Sequence, residues 1–126
     1  MKKLILALTV VLFASNAFAQ STLKPAINST KPVFKQEGNT STTLFSLNAT
    51  SAEIENLKTQ AGTLPNVKFS ADKQKGDVYN CKLVITDRNE TTYVQRIFGF
   101  FGFSAFTLDG QEKELTDLGN TLGKLK

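Results

Sequence analysis

Few side chains in this chain could carry out chemistry. Its 126 residues include no histidine, one cysteine (Cys81) and one methionine (Met1). Without histidine, the common pairings of a nucleophile with a general base are missing. Glu53 and Glu55 lie close together in a stretch of helical periodicity. Two such carboxylates read as a solvated helix face rather than as an acid and base pair. The glycines of Gly99-Phe100-Phe101-Gly102-Phe103 stand late in an apolar helical pattern, not between a strand and a helix start, so no phosphate-cradling loop is read there. We assign no catalytic residue, expect no cofactor, and read the chain as something other than an enzyme.

Three groups of residues remain. The first is Asn48, Thr50 and Glu53, at a step from a strand into a helix. Thr50-x-x-Glu53 has the form of a capping box, in which hydroxyl and carboxylate satisfy the free N–H groups of a helix start. A lone carboxylate here is a weak site for a hard cation. The second is Cys81, which alternates with Tyr79, Leu83 and Ile85 and so belongs to an apolar strand face. A single thiol forms no internal disulfide, and free cysteine is among the most buried residue types. Packing is the expected role, with a bridge between two chains or a reactive thiol as alternatives. The third is aromatic: Phe100 lies off the apolar stripe of its helix and Phe103 points opposite to Phe106 and Leu108 on a following strand, making both candidates for partner binding. The open face of the sheet, with Ser46, Lys68, Ser70, Lys82, Val84 and Thr107, is a second candidate surface.

These residues need elements to position them. Phe45 and Leu47 alternate with polar neighbours as in a half-buried strand, and Ile54, Leu57, Ala61 and Leu64 then recur at helical spacing until Gly62 and Pro65 end the helix. Val67, Phe69 and Ala71 predict a second strand, and Lys75-Gly76-Asp77 a turn. Tyr79 to Ile85 then form a hairpin partner. Val94, Ile97, Phe98 and Phe101 lie on one face of a second helix stopped at Gly102, and residues 103–108 read as a fourth strand stopped by Asp109-Gly110. The expected fold is α+β: a ferredoxin-like βαββαβ sandwich, with two helices on one face of a four-stranded antiparallel sheet.

The ends of the chain read differently. Met1-Lys2-Lys3, the apolar run from Leu4 to Phe13 and Ala17-Phe18-Ala19 form a secretory signal over residues 1–19, too short to span a bilayer, and the lysine-rich start suits a bacterium. The expected destination is the periplasm or the medium. Residues 20–41 hold two prolines and many polar residues without periodicity, and read as a flexible linker in which Val33-Phe34 is a candidate to dock. The folded domain is expected over 42–111. Leu115, Leu118, Leu122 and Leu125 then predict an amphipathic C-terminal helix or tail over 112–126.

Removing Lys2 and Lys3 from fifteen basic residues leaves thirteen against eleven acidic ones, a net of +2. The basic residues are also scattered rather than gathered on a stripe, so neither nucleic acid nor a membrane surface is an expected partner.

The core, 42–111, resembles the heavy-metal-associated domain of bacterial copper carriers. Leu57, Ala61 and Leu64-Pro65-Asn66-Val67 match the family's first helix and its step into the second strand, and Val94-x3-Phe98-x3-Gly102-Phe103 matches the end of its second helix. Carried across, Asn48 takes the place of the family's methionine, and Thr50 and Glu53 the places of its two cysteines. The resemblance implies the fold without the usual thiolate ligands that soft copper requires. The resulting expectation is a secreted or periplasmic, non-enzymatic domain of heavy-metal-associated-like fold whose usual metal site is lost, binding an unidentified protein or small ligand. The alternative is metal binding or transport through an atypical site at Cys81 or Glu53.

Overall fold

The computed structural model describes residues 23–125. The expected signal at 1–19 lies outside them. Seven strands and three helices follow in the order β1 (Ala26–Ile27), β2 (Phe34–Glu37), β3 (Thr40–Asn48), α1 (Ser51–Gly62), β4 (Val67–Lys75), β5 (Val78–Ile85), α2 (Thr91–Phe100), β6 (Ala105–Leu108), β7 (Gln111–Glu114) and α3 (Leu118–Leu125). All strands join one sheet in the order β4-β5-β3-β1-β6-β7, with β2 also paired to β3.

This corrects the four-stranded ferredoxin-like expectation. The predicted βαββαβ elements all form, as β3-α1-β4-β5-α2-β6, but β3 and β6 do not pair with each other. The N-terminal strand β1 is wedged between them, antiparallel to β3 and parallel to β6, which makes the sheet mixed. Two of the added strands, β1 and β2, come from the segment whose composition suggests a flexible linker. Leu23, Ile27, Val33 and Phe34 from that stretch are all buried in the core. Isolated apolar residues separated by turn chemistry show no period, so their burial becomes visible only in the folded sheet. The heavy-metal-associated resemblance falls with the topology.

Local signals were followed closely elsewhere. Thr50 and Glu53 form the complete capping box: the Thr50 hydroxyl accepts from the Glu53 N–H, and the Glu53 carboxylate accepts from the Thr50 N–H at 2.8 Å. At the other end of the domain, α2 stops in a Schellman arrangement. Gly102 takes φ 92° and donates to the Gly99 carbonyl, while the Phe103 N–H donates to the Phe98 carbonyl at 3.1 Å. Asp109 and Gly110, both at positive φ, make the tight turn of the β6-β7 hairpin. The tail therefore begins as a strand, passes through a short 3-10 helix at Leu115–Asp117 and becomes α-helical at α3, which buries Leu118 and Leu122 beside α2.

The core lies between the sheet and the helices and is dominated by phenylalanine. Phe45, Phe98, Phe103, Phe101 and Phe69 form a closed circuit of ring contacts, with successive centroids 4.9, 5.3, 5.8, 5.8 and 6.2 Å apart. Four of the five contacts are edge-to-face, the arrangement favoured by aromatic quadrupoles. Among the described residues, the opposite face of the sheet carries no helix and is largely polar.

Candidate functional site on the open face of the sheet

Two backbone irregularities shape the open face. Along one edge of β3, β1 and β2 follow each other in the same direction, but their registers with β3 differ: Ala26 pairs with Ser46, and Phe34 with Thr43. The surplus residues between them leave the sheet as a short excursion. At the far side of β5, the register of β4 shifts between Lys73 and Lys75, so that Gln74 is the extra residue of a β-bulge. Bulges re-aim side chains and are enriched beside functional sites.

Between these irregularities lies a cleft of about 420 Å³, within the range of small-molecule sites. Its floor is the open face of β3 and β5, including Leu44, Ser46 and Asn80. Phe45 and Cys81 contribute strand backbone there, since their side chains are buried on the helix-covered face. Ala26, Asn28, Lys31, Pro32 and Val33 form one wall, and Gln74 stands on the other side.

The excursion wall is held by its own turn chemistry. The Lys31 N–H donates to the Asn28 carbonyl at 3.2 Å, and Asn28 Oδ1 accepts from both the N–H and the hydroxyl of Thr30. Such an Asx turn is a common use of asparagine. Ser29 is tied across to the β6-β7 turn, its N–H donating to Asp109 Oδ1 at 2.9 Å and its hydroxyl to Oδ2 at 2.5 Å. These bonds from Ser29 hold the Asp109 carboxyl below its ordinary value. Pro32 then turns the chain back, and the Leu44 N–H donates to the Val33 carbonyl at 2.8 Å. The wall is thus built before any ligand arrives.

The polar lining has spare capacity. Among the described residues, no hydrogen bond or ion pair engages the side chains of Lys31, Ser46, Gln74 or Asn80. Among the described residues, no carboxylate lines the cleft. The floor adds exposed apolar surface at Leu44, which is 38 % exposed.

The residues singled out from sequence are dispersed. Thr50 and Glu53 are engaged in capping α1, and Asn48 ends β3 on the open face. Cys81 is fully buried, and burial pushes its thiol up to about 12. Among the described residues, no group of three or more His, Cys, Asp or Glu side chains could hold a metal ion. Both functional expectations are corrected by these findings: the domain is not of the heavy-metal-associated type, and neither Glu53 nor Cys81 belongs to a metal-binding cluster. Phe103 is only 2 % exposed, because the Schellman turn folds its ring back onto Phe98. Phe100 is 47 % exposed and touches Phe101. Of the open-face residues named from sequence, Ser46 lines the cleft.

Asn28, Lys31, Gln74 and Asn80 are not among the binding candidates that the sequence suggests. The clue to the first two was present, since Asn28-Ser29-Thr30-Lys31-Pro32 is strong turn chemistry between apolar Ile27 and Val33-Phe34. Nothing local marks Gln74, because a bulge depends on the partner strand.

Among the described residues, no helix is long and apolar enough to cross a membrane. No protein-family model, curated protein or solved structure matches this chain.

Proposed function

We propose that the protein reversibly binds a small ligand in the cleft between the Asn28–Val33 excursion and the Gln74 bulge, without transforming it. The observation that carries this reading is a prebuilt concavity lined by unengaged polar side chains, with the exposed apolar side chain of Leu44 in its floor. A preformed site avoids much of the ordering cost of binding. The reading without turnover is supported by the residues at hand: among the described residues Ser46 is the one hydroxyl in the lining, and neither a carboxylate nor a histidine stands with it there. The proposal includes an extracytoplasmic location, supported by the basic start, apolar run and Ala17-Phe18-Ala19 of the first nineteen residues.

The test uses an uncharged fluorescent probe, Nile red. Saturable enhancement on the folded protein, lost in Ser46→Phe at an unchanged melting temperature, is the expected result. Absence of saturable binding, or binding indifferent to Ser46→Phe, would overturn the reading.

A further inference from the structure

Resting on that cleft reading, we infer that the ligand is a small organic acid, with its carboxylate at the Lys31 wall and its apolar portion on the exposed side chain of Leu44. The charge pattern supports this assignment. Lys31 lines the cleft without an ion-pair partner among the described residues. Lys82 adds a second cation at the border, directly cross-strand from Leu44. The one carboxylate set in register beside the floor is Asp72, opposite Asn80 on β4. Lys35, further along the same face, is already matched by Glu37 at 3.6 Å.

The hydrogen-bonding inventory points the same way. Asn28 spends its side-chain oxygen on Thr30, which leaves its amide N–H₂ as the group on offer. Lysine is a donor only, and the amides of Asn80 and Gln74 and the hydroxyl of Ser46 can all donate. A ligand rich in acceptors and bearing negative charge satisfies this set, whereas an ammonium group would face Lys31 with no carboxylate in the lining to compensate it. Charge-assisted hydrogen bonds are also the stronger kind. Leu44, exposed in the floor, favours an acid that carries a hydrocarbon part over an inorganic anion.

Three probes of equal chain length separate the charge requirement from the cleft itself: octanoate, 1-octanol and octylammonium, each titrated into the full chain while backbone amide shifts are followed. Octanoate is expected to bind about fivefold more tightly than octanol, the scale of one exposed ion pair. Octylammonium should bind most weakly. Lys31→Gln, on an exposed turn, should erase the octanoate advantage and leave octanol unchanged. Added salt should shrink that advantage in the wild type. N-acetyl-Ala-Leu with a free carboxylate, set beside its C-terminal amide, distinguishes the source of the acid. If the free peptide binds ahead of octanoate the carboxylate belongs to a peptide end, and if behind it to a free acid; either keeps the charge requirement. Equal binding of all three octyl probes with shifts in the cleft would overturn the inference while leaving the cleft reading intact. No shift at Leu44, Ser46 or Asn80 with any probe would overturn both.

Discussion

Thr43 sits on the helix-covered face of β3, fully buried, and its hydroxyl has no hydrogen-bond partner. A buried hydroxyl without a partner costs on the order of 1–3 kcal/mol. Thr43→Val keeps the shape and the β-branched stiffness while removing that group, so chemical denaturation should show a gain of about 1 kcal/mol. Cys81 provides a second test at this scale. Its thiol is raised in the folded protein by burial, from 9.0 to about 12. The folded state therefore holds its proton where the unfolded chain has released it. The associated stability is complete below about pH 9 and is lost as pH rises towards 12. Cys81→Ala should be less stable at neutral pH yet show a flatter alkaline decline. The aromatic residues divide by burial: Phe103→Ala should cost about 3–5 kcal/mol, while Phe100→Ala at a half-exposed site should cost less than about 1 kcal/mol. Sequence periodicity treated these two alike because it extended the strand through residue 103, whereas the chain there is still completing the helix cap.

At the scale of elements, legibility followed how local the cause was. The start of α1 was readable because a capping box is contained in four residues, and the end of α2 because glycine at positive φ is a local requirement. β1 and β2 were not readable, since their few apolar residues are interrupted by the Asn28–Lys31 turn and gain meaning only from pairing with β3. The same holds for Gln74. α3 illustrates a third case. It buries Leu118 and Leu122, and its two glycines differ: Gly119 lies against α2, where an added Cβ would stand 3.2 Å from Gln95 Oε1 and 3.6 Å from Thr92 Cα, whereas at Gly123 it would meet nothing within 4 Å. The Gly119 N–H also donates to Gln95 Oε1 at 2.9 Å. Gly123→Ala should therefore raise stability by about 0.5–1 kcal/mol through helix propensity alone. Thermal unfolding of the single variant tests this. The excursion has its own pH signature. Asp109 is lowered by its bonds from Ser29, so its contribution is present above the ordinary carboxylate range and disappears only as pH falls through the lowered value. The Ser29 amide resonance should follow that transition, and Asp109→Asn should abolish it.

For the molecule as a whole, inserting β1 between β3 and β6 changes what the scaffold can present. The helix-covered face is closed by phenylalanine and leucine, and the edge strands β4 and β7 carry several charged residues, which discourages strand addition by a partner. Inserting β1 and bulging β4 leave the open face as the surface with a built concavity. The central claim is that function resides in that cleft and not in the loop preceding α1. Amide shift mapping during an octanoate titration tests it most directly. The account predicts saturable shifts centred on Asn28, Lys31, Ser46, Gln74 and Asn80, with Thr50 and Glu53 unmoved. Shifts confined to Thr50 and Glu53, or to the surroundings of Phe100, would contradict it.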